Sequence, residues 1–166
     1  ECPDEFTRWL VANGADLQAE DTYGEPALTK RAWHWKGGVE ILLALGADVH
    51  HGEGERGTAL HAAADHFRVA AARTLLNAGA RVDALDKDGL TPLERALKRC
   101  DNANIADMAP MADVLLNAGA KKTPRMTEEA RRIGKNFEFH RAGYNPETRD
   151  EADAGLKHLY ELFGAT

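Results

Sequence analysis

Leu-Leu-Asn-Ala-Gly-Ala stands at residues 75–80 and returns unchanged at residues 115–120. Looser copies precede it, with Leu-Val-Ala-Asn-Gly-Ala at residues 10–15 and Leu-Leu-Ala-Leu-Gly-Ala at residues 42–47. The fifth residue of every copy is a glycine, namely Gly14, Gly46, Gly79 and Gly119. Successive glycines are 32, 33 and 40 residues apart. The first two intervals indicate a repeat period, and the third indicates the same period with an insertion.

Each copy is surrounded by the same succession of local signals. The leucines end a helix, and the glycine supplies the left-handed residue that commonly terminates one. An extended stretch with one apolar residue follows, at Leu17, Val49 or Val82. Turn-forming residues come next, at 21–24, 53–57 and 86–89, and another helix begins after them. One such unit cannot bury its apolar face alone, so the pattern predicts an all-α solenoid of stacked helix pairs with short β-hairpin turns.

The third turn carries the most informative motif. It runs Asp-x-x-Gly-x-Thr-Pro-Leu over residues 86–93, is followed by Ala96, and resembles the signature of the ankyrin-repeat family. Glu94 occupies the position where this family usually has histidine. Thr-Ala-Leu-His-Ala-Ala at residues 58–63 is similar and keeps the histidine, as His61. The resemblance covers roughly residues 3–123 and implies an ankyrin-repeat stack.

The resemblance divides the chain into two parts. Residues 1–123 are expected to hold a partial first repeat and three full or near-full repeats, with an insertion at residues 100–110. Residues 3–10 resemble only the second helix of a repeat, with Pro3 in its first turn, so we expect further sequence upstream. The insertion either extends a helix or forms a loop. We expect it to protrude at the end of the stack opposite the hairpin turns.

Residues 124–166 carry no repeat motif and are expected to form a helical hairpin that caps the stack. The first helix is expected from about Thr127 to Arg141, with apolar positions at Ala130, Ile133, Phe137 and Phe139. The second is expected to begin at Thr148, where Glu151 completes a capping box. Its apolar face comprises Ala152, Leu156, Leu159, Tyr160 and Phe163. The tail resembles the C-terminal extension of some uncharacterised bacterial ankyrin proteins, which implies a bacterial source.

Length and composition limit the possible functions. The chain has 166 residues, of which 43% are hydrophobic and 29% charged, which suits one globular domain. The formal net charge of −6 argues against non-specific nucleic-acid binding. No apolar run approaches the roughly 20 residues of a membrane span. Cys2 and Cys100 form no pair typical of a disulfide or zinc site, so we expect reduced thiols and a cytoplasmic location.

The family resemblance implies partner binding through the hairpin tips and the concave face of the first helices. Carried over by position, the partner-binding residues are Tyr23, Glu25, Trp33, His34, Trp35, Arg56, Asp65, His66, Lys87, Asp88, Lys98 and Arg99, with Thr22, Glu55, Gly57 and Leu90 completing the tips. Tyr23, Trp33 and Trp35 are the most informative because exposed aromatic side chains are typical interface anchors. The two tryptophans would point different ways on a helix, so we expect one packed and one open.

Other polar clusters have ordinary structural explanations. His61 stands at the family's signature histidine, which implies a structural hydrogen bond near the turn. His50, His51 and Glu53 could ligate a metal, but adjacent histidines in a turn rarely converge, so a solvated turn is favoured. Asp101, Asp107 and Asp113 lack the spacing and glycine of a calcium loop and favour helix caps and solvent-facing positions. We therefore expect no metal and no cofactor.

The sequence favours a binding module over an enzyme. It contains none of the common catalytic motifs and no serine at all, and nothing supports Cys100 as a nucleophile. We expect a non-enzymatic protein–protein interaction module that acts as a monomer on a protein partner, not on nucleic acid or a membrane. Two alternatives stay open: an immunity or inhibitor protein that neutralises a toxin or enzyme, and a regulatory or targeting module of a larger protein.

Overall fold

The computed structural model describes residues 4–35, 37–53 and 56–165. Over these residues the chain is all-α, as predicted, with nine α-helices, two 3₁₀ turns and no strand. In chain order the helices are α1 (Asp4–Ala12), α2 (Ala27–Trp33), α3 (Val39–Ala44), α4 (Ala59–Asp65), α5 (Val69–Asn77), α6 (Pro92–Arg99), α7 (Ile105–Asn117), α8 (Pro124–His140) and α9 (Pro146–Phe163). None of these helices is both long enough and apolar enough to cross a membrane. Cys2, Pro3 and Glu55, all named from the sequence, lie outside the described residues.

Eight of the helices form two rows. Helices α2, α4, α6 and α8 pack against one another in succession and form the inner row. Helices α3, α5, α7 and α9 do the same and form the outer row. The tail helices α8 and α9 therefore continue both rows. The hairpin turns contain a single isolated bridge within the described residues, between Glu20 and Pro26.

The repeated hexapeptide is a helix-ending motif. Its glycine has a φ of 90° to 98° in all four copies, a left-handed conformation that side-chain-bearing residues rarely adopt. In the third copy Ala80 N donates to the Leu75 carbonyl and Gly79 N donates to the Leu76 carbonyl. These are the two hydrogen bonds of a Schellman motif, which satisfies carbonyls at the helix end. The motif ends α1, α3, α5 and α7 and turns the chain toward the next unit.

Small side chains let the inner helices approach closely. Five alanines that face neighbouring helices are completely buried, at Ala32, Ala63, Ala64, Ala72 and Ala96. Leucines such as Leu60, Leu75 and Leu93 fill the spaces between helix pairs. Each fully buried leucine contributes about 1.5–3 kcal/mol through removal of its surface from water. Helix α1, by contrast, buries none of its residues.

The insertion lengthens an outer helix and packs against the tail. Helix α6 ends at Cys100, a 3₁₀ turn covers Asn102–Asn104, and α7 begins at Ile105. Ile105 and Met108 are fully buried, and Gly155 of α9 lies against the Ile105 carbonyl. The expectation that this segment protrudes was therefore wrong, because its apolar residues find a surface on the cap.

Three details of the predicted tail were wrong. Helix α8 begins at Pro124 and not at Thr127. Helix α9 begins at Pro146, with Asn145 as its N-cap, because the Asn145 side-chain oxygen accepts a hydrogen bond from Thr148 N at 2.9 Å. The capping box expected at Thr148 is thus replaced by an asparagine cap one turn earlier. Phe139, expected on the apolar face of α8, is 82% exposed.

Polar contacts fasten the tail to the last repeat. Arg132 of α8 donates through Nη2 to the carbonyls of Leu97, Lys98 and Cys100 at 3.0, 3.3 and 3.1 Å. These carbonyls lie at the C-terminal end of α6, where carbonyls lack the donors of a continuing helix, although Leu97 also accepts from Cys100 N at 3.2 Å. Between the outer helices, His158 Nε2 lies 2.9 Å from Asp113 Oδ1.

Candidate partner-binding groove

The inner row and the hairpin turns enclose a groove of about 740 Å³. Its walls include nine of the twelve residues that the sequence assigned to partner binding: Glu25, Trp33, Arg56, Asp65, His66, Lys87, Asp88, Lys98 and Arg99. Tyr23, His34 and Trp35 are not among its lining residues. The groove thus brings together side chains from three successive units of the stack.

The aromatic residues fall into two environments. Trp33 ends α2 and packs its ring against His66, with 5.4 Å between the ring centroids. Trp35 lies two residues beyond the end of α2 and is 71% exposed. One tryptophan is therefore packed and the other open, as expected, but Trp35 is not helical as assumed. His34 ends the helix because its ψ of 135° is extended.

Tyr23 stands at the exposed tip of the first hairpin. Asp21 forms this turn, because its Oδ1 accepts hydrogen bonds from Tyr23 N at 2.8 Å and from Glu25 N at 3.1 Å. Lys30 pairs with the same carboxylate, and its hydrogen bond is the main cause that holds the pKa of Asp21 below its ordinary value. The Lys30 ammonium also lies 5.9 Å from the centre of the Tyr23 ring.

The third hairpin uses the same turn chemistry. Asp86 Oδ1 accepts from Asp88 N at 2.9 Å and from Leu90 N at 3.0 Å. Such aspartate turns replace backbone hydrogen bonds with side-chain ones and fix the loop. They hold the exposed residues Lys87 and Asp88 at the rim of the groove.

Arg95 joins two successive units at the floor of the groove. Its Nη2 lies 2.7 Å from Asp65 Oδ2, and its Nη1 lies 3.6 Å from Asp86 Oδ2. Nη1 also donates to the carbonyl of Arg56. The Asp65 side chain is only 8% exposed, and its second oxygen has no hydrogen-bond partner among the described residues. This network could not be read from sequence patterns, since Arg95 lies 30 and 39 residues after Asp65 and Arg56 and each member looks like an ordinary surface charge.

His61 has the structural role expected from its position. Its Nδ1 accepts a hydrogen bond from Thr58 N at 3.0 Å, and its Nε2 therefore carries the proton donated to the Leu90 carbonyl at 3.1 Å. Burial lowers the pKa of His61, which keeps the ring neutral. The ring thus fastens one repeat to the next hairpin.

Glu94 has the equivalent structural role one repeat later. Its Oε2 accepts from Thr91 N at 3.1 Å, and its Oε1 accepts from the Thr123 hydroxyl at 2.9 Å. A carboxylate therefore replaces the signature histidine and ties the third repeat to the segment that leads into α8.

The candidate metal ligands make structural contacts, and the candidate nucleophile Cys100 is a buried, protonated thiol. Within the described ranges no group of three or more His, Cys, Asp or Glu side chains is arranged to hold a metal ion. His51 pairs with Glu20 at 2.8 Å, and Asp101 accepts from Ala103 N at 2.9 Å as the cap of the 3₁₀ turn. Burial raises the pKa of Cys100 to about 12, so its thiol is protonated near neutral pH.

Comparison with known proteins gives the repeats a family. Residues 60–109 match the family described as ankyrin repeats (many copies). The chain is 38% identical over 96 residues to the E3 ubiquitin-protein ligase Ufd4 of Drosophila melanogaster, covering 57% of this chain and 3% of that protein. It is 48% identical over 61 residues to the ankyrin repeat and LEM domain-containing protein 1 homolog of Caenorhabditis elegans, covering 37% of this chain and 8% of that protein.

The chain therefore spans less than a tenth of either relative. Both organisms are animals, so these matches give no support to the bacterial source that the tail suggests. The matched segment holds the motif at residues 86–93 and most of the one at residues 58–63, together with α5, α6 and parts of α4 and α7. Residues 60–109 of this chain therefore belong to the ankyrin-repeat family.

Proposed function

We propose that this chain is a non-enzymatic module that binds a protein partner through its groove and hairpin tips. Ankyrin repeats are in general protein-interaction modules. The observation that supports this use of the groove most directly is the convergence of Trp33, His66, Lys98 and Arg99 on one concavity. Packed aromatic and cationic side chains of this kind are the usual anchors of protein interfaces.

The groove suits a partner that docks without rearrangement. Arg95 and the aspartate turns fix the hairpins before any partner arrives, so little conformational freedom is lost on binding. The rim carries both signs of charge, with Arg56 and Lys87 near Glu25 and Asp88. Charges at a rim mainly set association rate and specificity.

The chemistry of the groove favours binding over catalysis. Asp65 and Asp86 are paired with Arg95, and both ring nitrogens of His61 are hydrogen-bonded while burial keeps the ring neutral. These two carboxylates and this buried histidine are thus committed to structure. A buried, protonated Cys100 is consistent with a reduced thiol. We also propose that the protein is a monomer and is located in the cytoplasm.

The test compares two variants in affinity capture from cell lysate, read by mass spectrometry. One is Tyr23→Ala/Trp33→Ala/Trp35→Ala, which removes the aromatics of the groove and tip. The matched control is Phe6→Ala/Trp9→Ala, which removes two exposed aromatics of α1 away from the groove. Circular dichroism establishes that both variants are folded.

The proposal expects a protein that the unaltered chain and the control retain and that the groove variant loses. Equal capture by all three chains contradicts the placement of the site. Capture that fails only in the control places the site on α1 and also overturns the proposal.

A further inference from the structure

Positive charge is concentrated in one part of this acidic chain. Residues 121–141 contain seven lysine or arginine residues and three glutamates, whereas the whole chain has a net charge of −6. The basic residues are Lys121, Lys122, Arg125, Arg131, Arg132, Lys135 and Arg141. Most of them lie on α8 (Pro124–His140) and on the segment that leads into it.

Two of these cations, Arg131 and Lys135, are uncommitted and lie on one side of α8. The cations of the segment that are uncommitted elsewhere in the described ranges are Lys121, Lys122 and Arg125. Arg131 and Lys135 are four residues apart, so they lie one above the other on the exposed side of α8. Neither has an ion-pair or hydrogen-bond partner in the part of the chain that the structure describes. Arg132 beside them is occupied by Glu129 and by the carbonyls at the end of α6.

These side chains border an open depression of about 630 Å³ on α8, lined by Glu128, Arg131, Arg132, Lys135 and Asn136. Phe139 lies one helical turn beyond Lys135 and is 82% exposed, more than any other large apolar side chain among the described residues. Its only ring neighbour there is His140, with 4.9 Å between centroids. A cationic strip thus ends in an uncovered aromatic ring. We call Arg131, Lys135 and Phe139 the basic face.

We propose that the basic face binds an acidic segment of a partner protein. Carboxylates of that segment pair with Arg131 and Lys135, and an apolar side chain covers Phe139. Charge complementarity of this kind steers association and fixes register, while burial of the aromatic ring adds affinity that does not depend on salt. This surface is formed by α8 alone, so it is a second interaction site in addition to the groove.

Two other classes of partner fit the basic face less well. A nucleic acid needs a longer series of phosphate contacts than the two cations of the basic face offer, and Glu128 in the same depression repels phosphate. A membrane surface needs an apolar helix face turned toward lipid. The apolar face of α8, with Met126, Ile133 and Phe137, is buried inside the protein.

The test uses a short synthetic helical peptide that carries glutamates four residues apart and one leucine, labelled with fluorescein. Binding is measured by fluorescence anisotropy at low salt, and its location by amide chemical shifts. Arg131→Glu/Lys135→Glu is compared with Lys121→Glu/Lys122→Glu. Both variants change the net charge by the same amount and lie in the same basic segment, but only the first alters the basic face.

We expect the basic-face variant to weaken peptide binding about tenfold and the control variant less than about twofold, because distant exposed charges are screened. Phe139→Ala is expected to weaken binding about threefold without changing its salt dependence. Shifted amides should cluster on α8. Equal losses in both double variants, or no binding by the unaltered chain, would overturn the proposal. So would tighter binding of a single-stranded DNA oligonucleotide or of anionic lipid vesicles.

Discussion

Arg95→Met isolates the contribution of the guanidinium that joins two successive repeats. Methionine keeps much of the apolar stem and removes the contacts to Asp65, Asp86 and the Arg56 carbonyl. Breaking a buried ion pair by removing one partner costs about 3–5 kcal/mol. The Arg95 side chain is 29% exposed, so water replaces part of the lost interaction. We therefore expect a loss of about 2–3 kcal/mol in the free energy of unfolding.

The assay is urea unfolding followed by circular dichroism. The matched control is Arg81→Met, because Arg81 forms an ion pair with Glu53 at 2.9 Å but its side chain is 55% exposed. An exposed pair of this type contributes about 0–1 kcal/mol. Asp65→Asn added to Arg95→Met should restore about 1 kcal/mol or more, since it removes the uncompensated buried charge.

A loss below about 0.5 kcal/mol for Arg95→Met, equal to that of the exposed control, would refute this reasoning. The same holds if Asp65→Asn destabilises the Arg95→Met chain further. Either result would mean that the network is solvated and does not position the hairpins.

Three further predictions concern other parts of the fold. Gly155→Ala should destabilise the chain by about 1–3 kcal/mol in urea unfolding, because a Cβ there would lie 2.9 Å from the Ile105 carbonyl oxygen. Arg132→Ala should cost about 1 kcal/mol and loosen the tail, which hydrogen exchange of α8 and α9 would detect. Since burial lowers the pKa of His61, the unfolded chain gains a proton below pH 6.5 that the folded chain does not. The free energy of unfolding should therefore decrease by up to about 1.4 kcal/mol for each unit by which the pH drops below 6.5, and His61→Gln should reduce that slope.

Each of these predictions has an outcome that contradicts it. Gly155→Ala would ordinarily stabilise an exposed helix by about 1 kcal/mol, so a gain would show that α7 and α9 are not in close contact. Unchanged exchange in Arg132→Ala would show that the carbonyls of α6 are satisfied by water. Burial also lowers the pKa of His66, so a smaller slope should survive in His61→Gln, and an unchanged slope would exclude His61 as its main source.

The fold could be predicted because its signals are local and repeated. The hexapeptide encodes one helix end through the backbone of its glycine and the two hydrogen bonds around it, and four copies fix the period. The turn motif at residues 86–93 likewise acts through hydrogen bonds within five residues. Such features can be recognised without knowledge of tertiary contacts. The family resemblance that they support also led to nine candidate residues that line one groove.

Features that depend on contacts between distant residues escaped prediction. Arg95 reaches residues 30 and 39 positions earlier, and nothing near it in the sequence marks that role. The insertion packs on the tail because Gly155 lets α9 approach Ile105. The spacing of residues in the sequence does not reveal this contact. Phe139 lies near the apolar face of α8 in the helical period, but Phe137 fills that face and Phe139 stays exposed.

The most direct test of the partner-binding proposal is site-specific photo-crosslinking. A photoreactive phenylalanine analogue is placed at Lys98, which lines the groove, or at Ala70, which is exposed on the outer helix α5. The two chains are irradiated with the protein retained in the capture experiment. The account predicts a crosslinked product from position 98 and none from position 70. A product from position 70 alone would contradict it and would place the partner on the outer row.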